Sequence, residues 1–157
     1  MKALVVYYSR TGTTKKVAEA ISEMLKCDIE GIVDIKNRKG ILGFLGAGRD
    51  TVFNKLTSIN DVKKGPSEYD LVLIGTPIWV GNMSVAIRTY LSKYKGKFKR
   101  VAFFCTMGGS GNKRAFKNME ELIGKKSEST LVLRDREIKG DYIYRIKEFV
   151  NEINKIF

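Results

Sequence analysis

The sequence predicts an α/β protein: a three-layer, doubly wound sheet of five parallel strands in the order 2-1-3-4-5, with helices on both faces. Two observations predict it. Continuous apolar, β-branched and aromatic runs of strand length recur at residues 4–8, 71–75 and 101–105, the composition of strands buried on both faces. Between them lie segments whose apolar residues recur at helical spacing, so strands and helices alternate along the chain. Strands joined through helices run parallel, and right-handed crossovers place the helices on both faces. No repeat or linker interrupts the alternation, and residues 1–157 are expected to form one domain.

Leu4-Val5-Val6-Tyr7-Tyr8 is the first strand, followed by the turn Ser9-Arg10-Thr11-Gly12-Thr13-Thr14. Val17, Ala18, Ile21, Met24 and Leu25 then mark the inner face of a helix, with Thr13 or Thr14 suited to its N-cap. A second strand is expected over 28–35. A polar turn occupies 36–40, and four glycines between 40 and 48 weaken any helix there, so 41–54 reads as a loop and a short helix. The third strand, 71–75, is expected to break at Thr76-Pro77. Val85, Ala86, Tyr90 and Leu91 give the next helix its inner face, and 100–105 is the fourth strand. Ala115, Phe116, Met119, Leu122 and Ile123 mark another helix, 129–136 a fifth strand, and the last helix starts near Asp141.

Composition narrows the function classes. With 43% hydrophobic and 29% charged residues the chain is of ordinary globular composition, not disordered. Its longest apolar run is far short of the ~20 residues of a membrane span. The run after Lys2 is too short for a signal-peptide core, and no small-residue cleavage site follows, so a cytoplasmic location is expected. Histidine is absent, which excludes histidine-based catalysis and histidine metal sites. Cys27 and Cys105 form neither a C-x-x-C nor a zinc-finger spacing and are expected to be reduced structural thiols. Lys and Arg exceed Asp and Glu by 29 to 17, a net charge of +12, which favours acidic partners or anionic ligands.

In a sheet of this order the ligand crevice lies beyond the carboxyl ends of the strands, where strand order reverses. The loops after strands one, three and four therefore carry the functional argument. The first, Ser9 to Thr14, offers four hydroxyls, a glycine that admits close backbone approach, and the positive end of the following helix. Capping alone needs one hydroxyl; four point to a bound phosphate. The loop is neither G-x-x-x-x-G-K-[ST] nor G-x-G-x-x-G. The second, Thr76-Pro77-Ile78-Trp79-Val80-Gly81-Asn82-Met83, holds the chain's one tryptophan, a flat side chain able to cover a planar heterocycle. The third, Thr106-Met107-Gly108-Gly109-Ser110-Gly111, is glycine-rich, as suits a loop with something flat lying against its backbone.

Together S-x-T-G-T-T, I-G-T-P-I-W-V-G-N-M and F-C-T-M-G-G-S-G resemble the three flavin loops of the flavodoxin family, and the element order matches that family over the whole chain. The resemblance implies FMN as cofactor. Carried over by position, Ser9, Arg10, Thr11, Gly12, Thr13 and Thr14 would surround the FMN phosphate. Pro77, Ile78, Trp79, Val80, Gly81 and Asn82 would meet the ribityl chain and one ring face, and Thr106, Met107, Gly108 and Gly111 would border the pyrimidine end. It also implies electron transfer between redox partners, or, alternatively, an FMN-dependent oxidoreductase acting on a quinone or another small organic molecule.

The chain departs from the electron carriers of that family in three respects. It is basic where they are typically acidic, which predicts a redox partner with an acidic surface. Met107 and glycines stand where many place a tyrosine over the ring. The 36–64 segment is longer than in the shortest members, with Gly43-Phe44-Leu45-Gly46 a candidate for the flavin edge. Cations near a reduced, anionic flavin raise its final reduction potential, and Arg10, Arg49, Arg88 and Lys113 are candidates. A response-regulator receiver shares the topology but needs acidic residues where this chain has Tyr8-Ser9 and Thr76. A nucleic-acid binder would explain the charge, but the basic residues are spread along the chain without a binding motif.

Overall fold

A computed structural model of the protein describes residues 1–35 and 56–156. The strands are β1 (Ala3–Tyr7), β2 (Asp28–Gly31), β3 (Leu71–Trp79), β4 (Asn82–Met83), β5 (Arg100–Met107) and β6 (Ser127–Arg134). The helices are α1 (Thr13–Leu25), α2 (Val85–Lys93), α3 (Asn112–Ile123), α4 (Asp135–Ile138) and α5 (Ile143–Ile156), with a 3-10 turn at Pro66–Glu68. The sheet order is β2-β1-β3-β5-β6, all neighbours parallel, and β4 is an antiparallel appendage of β3. Leaving out β4, this is the predicted 2-1-3-4-5 order.

Side-chain alternation divides the sheet between two cores. Leu4, Val6, Val72, Ile74, Val101, Phe103 and Cys105 face α2 and α3, where Ile87, Tyr90, Leu91, Phe116 and Met119 meet them. Ala3, Val5, Leu71, Leu73, Ala102 and Phe104 face α1 and α5, against Val17, Ile21, Ile146, Phe149 and Ile153. Both faces of the central strands β1, β3 and β5 are covered, which is why these read as apolar runs instead of alternating ones.

Four boundaries differ from expectation. The second strand stops at Gly31, not residue 35, because its partner β1 ends at Tyr7; Asp34 instead makes an isolated bridge to Ile59. Pro77 does not break the third strand, which continues to Trp79. Gly75 directs its carbonyl at the Tyr8 amide. By alternation the missing N–H of Pro77 falls on the same side, where β1 has already ended, so no ladder bond is lost. The fifth strand is 127–134, and Asp135 opens a helical turn in which the Glu137 carboxylate accepts from the Arg134 amide at 2.7 Å. The last helix begins at Ile143. The expected loop and short helix at 41–54, with Gly43-Phe44-Leu45-Gly46, lie outside the described residues.

Candidate functional site

The carboxyl ends of β1, β3 and β5 surround a cleft of about 1020 Å³, at the upper end of the range for small-molecule pockets. It sits where the order reverses, as the topology requires.

The first wall is the β1–α1 turn. Arg10, Thr11, Gly12 and Thr13 line the cleft. The N-cap is Gly12, not Thr13 or Thr14: its φ of 94° lies in the left-handed region, and no side chain caps the helix. The Gly12 amide donates to Ser9 Oγ at 3.1 Å, so Ser9 shapes the turn from behind. No acidic residue stands in the first turn of α1. The first-turn amides, which have no acceptor inside a helix, are thus left to an anion. A Cβ on Gly12 would meet nothing within 4 Å: here glycine is required by conformation alone.

Thr14 does not line the cleft. It is buried, and its hydroxyl pairs with that of Thr106, 2.8 Å away at the end of β5. It ties the first loop to the third instead of lining the cleft.

The second wall is a hairpin. Pro77, Ile78, Trp79 and Val80 line the cleft. Val80 and Gly81, with φ of 47° and 71°, form the two-residue turn between β3 and β4, both in the left-handed conformation that such hairpins favour. Glycine accepts it freely, but β-branched Val80 carries a cost of about 1–2 kcal/mol and remains 62% exposed at the cleft rim. The Trp79 ring is held by Tyr8, edge-on at 5.7 Å, and the Arg10 guanidinium lies 6.0 Å above its centroid. Gly81 and Asn82 turn away from the cleft. Gly81 abuts Gly111, and buried Asn82 accepts through Oδ1 from the Met83 amide at 2.9 Å and from Asn118 Nδ2 at 3.1 Å.

The third wall is the end of β5, where Thr106, Met107 and Gly108 line the cleft. Gly111, the N-cap of α3 with φ of 113°, does not line it. A Cβ there would fall 2.3 Å from the Gly81 Cα, so two backbones meet where only glycine fits.

A fourth wall was missed by the three-loop argument. Lys16, Asp135, Ile138 and Lys139 also line the cleft. Lys16 lies one turn into α1, a position helical spacing makes accessible. The other three reach the cleft because the strand ends at Arg134 and the chain coils in α4. Among the described residues the lining carries three cations, Arg10, Lys16 and Lys139, against one carboxylate, Asp135. Of the cations expected near the ligand, Arg10 lines the cleft, and Lys113 and Arg88 do not; Arg49 lies outside the described residues. Arg88 sits on α2, where burial lowers its pKa and its Nε and Nη2 find no acceptor among the described residues.

Neither cysteine is poised for chemistry. Both are free thiols; burial pushes Cys105 up to about 12, and burial followed by the Asp28 charge pushes Cys27 up to about 11. Among the described residues no group of His, Cys, Asp or Glu could hold a metal, and no helix is long and apolar enough to cross a membrane.

Comparison with known proteins agrees with this fold. A flavoprotein from Lactobacillus acidophilus, solved in complex with FMN, superposes with a TM-score of 0.74 at 26% identity over 88% of this chain and 96% of its own. Oxidised flavodoxin 2 from Bacillus cereus superposes over the full length of both chains with a TM-score of 0.64 at 14% identity, a likeness of fold. A curated NAD(P)H dehydrogenase (quinone) from Chromohalobacter salexigens is 26% identical over 110 residues, 69% of this chain and 55% of the relative; the chain thus spans about half the length of the curated relative it matches. Residues 49–153, well over half the chain and including two of the three cleft-forming loops, match the family model described as flavodoxin, and the chain belongs to that family.

Proposed function

We propose that the cleft holds one FMN and that the protein uses it to pass electrons between redox partners in the cytoplasm. The observation that carries this reading is the division of one cleft into an anion end and a planar end. At the anion end, the uncapped start of α1 and, among the described residues, three cations against one carboxylate suit a phosphate monoester, which carries about −1.5 to −2 charges at neutral pH. At the planar end, Trp79, held by Tyr8, offers a flat apolar face. The family and the FMN complex of the Lactobacillus relative support the same cofactor.

Each wall has a distinct task in this reading. Thr11, Gly12 and Thr13 bind the phosphoryl oxygens, with Arg10 and Lys16 neutralising charge. Trp79 and Val80 exclude water from one ring face, and Thr106, Met107 and Gly108 border the opposite end. When bound, the flavin supplies the redox chemistry and the protein sets its position and field. The net charge of +12 favours an acidic partner surface, with association that slows as salt rises.

One observation favours a second reading, an oxidoreductase acting on a quinone or similar small molecule. Among the described residues the cleft lining holds no aromatic side chain besides Trp79, which suits a site open to a planar substrate, and the curated relative is a quinone dehydrogenase.

Titration with FMN, followed by stepwise reduction under visible spectroscopy, tests the first reading. Quenched flavin fluorescence and a retained yellow band after desalting are expected; a colourless protein would refute it. Turnover of a quinone panel with a chemical reductant separates catalysis from carriage.

A further inference from the structure

The hairpin that carries Trp79 is too small to hold itself. Its ladder has two residue pairs, Ile78 with Met83 and Trp79 with Asn82, whereas an isolated two-stranded hairpin is at best marginally stable in water. Its turn also stores the strain of Val80 in a left-handed conformation. Something outside the hairpin must fix it, and that support comes from α3. Gly111, Ala115 and Asn118 fall at i, i+4 and i+7, hence on one helical face. Gly111 meets Gly81 backbone to backbone, Ala115 is fully buried, and Asn118 donates through Nδ2 to the buried Asn82 Oδ1 at 3.1 Å. The same oxygen accepts from the Met83 amide at 2.9 Å. One side-chain carbonyl thereby joins the return strand of the hairpin to the helix.

We propose that Asn118, which does not line the cleft, is a positioning residue for the Trp79 hairpin and thereby for the ring end of the cleft. Its consequence for cofactor affinity rests on the reading of the cleft as an FMN site; its consequence for Trp79 does not.

The chain's single tryptophan is a built-in reporter. In the FMN-free full-length protein, well below each variant's melting temperature, Asn118→Leu is expected to raise the acrylamide quenching constant of Trp79. Loss of one half-buried neutral hydrogen bond should weaken FMN and riboflavin equally, by about fivefold. Asn118→Asp, which keeps the shape and removes the donor, is expected to act in the same direction and serves if the leucine variant does not fold. Unchanged quenching in the variants overturns the proposal. So does altered quenching with both affinities intact, because the hairpin would then move without consequence for the ring end. Loss of FMN affinity with riboflavin affinity retained overturns it too, since the effect would lie at the phosphate end. Should the unmodified chain take up no FMN, the proposed function fails, and the quenching comparison alone decides the role of Asn118.

Discussion

Gly12 and Gly111 form a matched pair on which the account of the cleft can be tested. Each is the N-cap of a helix, with φ and ψ of 94° and −10° at Gly12 and of 113° and 0° at Gly111. An alanine at either position pays the same kind of conformational penalty, about 1–2 kcal/mol. Their neighbours differ. The Cβ of an alanine at 12 would meet nothing within 4 Å, while at 111 it would lie 2.3 Å from the Gly81 Cα, 2.9 Å from its carbonyl carbon and 3.0 Å from its oxygen. These are backbone atoms of a strained turn, and moving them adds an overpacking cost of about 1–3 kcal/mol. Gly12→Ala is therefore expected to lose about 1–2 kcal/mol and Gly111→Ala about 2–5 kcal/mol. Urea unfolding of the FMN-free variants, followed by circular dichroism and by Trp79 fluorescence, measures both. Equal losses would refute the claim that the second and third loops meet at a glycine–glycine junction.

Three further outcomes follow from the same geometry. Lys139→Glu exchanges a cation of the lining for an anion and is expected to weaken FMN by roughly fivefold after screening while leaving riboflavin unchanged; isothermal titration with both ligands checks it, and equal losses would count against an anion end. Thr14→Val leaves the Thr106 hydroxyl without its 2.8 Å partner and is expected to cost about 1–2 kcal/mol, lowering the melting temperature; the loss should vanish when Thr106 is already valine. With Cys105 raised to about 12 and Cys27 to about 11, deprotonation occurs only far above neutrality, so native alkylation rates should keep rising with pH beyond 9 with no plateau, and only unfolding should expose Cys105 to rapid labelling.

The sequence made much of this legible because the physics it encodes is local. A strand covered on both faces must be apolar throughout, and 4–8, 71–75 and 101–105 are; that pattern, with helical spacing between, is enough to order the sheet and locate the crevice. A glycine in the first loop was readable, but not its role: the sequence suggested close backbone approach and a threonine N-cap, whereas Gly12 itself is the N-cap and is required by its φ of 94°. What the sequence could not supply is which way a side chain at the crevice turns. Thr13 and Thr14 are chemically alike and adjacent, yet one lines the cleft and the other is buried against a residue 92 positions away.

Tertiary contacts likewise decided the hairpin and the fourth wall. Proline ends a strand only where a partner needs its N–H, and whether β1 extends that far is a property of the assembled sheet, so Pro77 looked like a terminator and is not. Lys139 and Asp135 reach the cleft because the chain coils directly after Arg134 beside β5, a proximity no spacing encodes. By itself, then, the sequence determined the layers, the strand order and the three loops that meet at the cleft, since burial and periodicity act within a segment. Only the folded structure decided which of those loop residues face the cleft and which clasp the loops together, because that division depends on atoms brought near from distant parts of the chain.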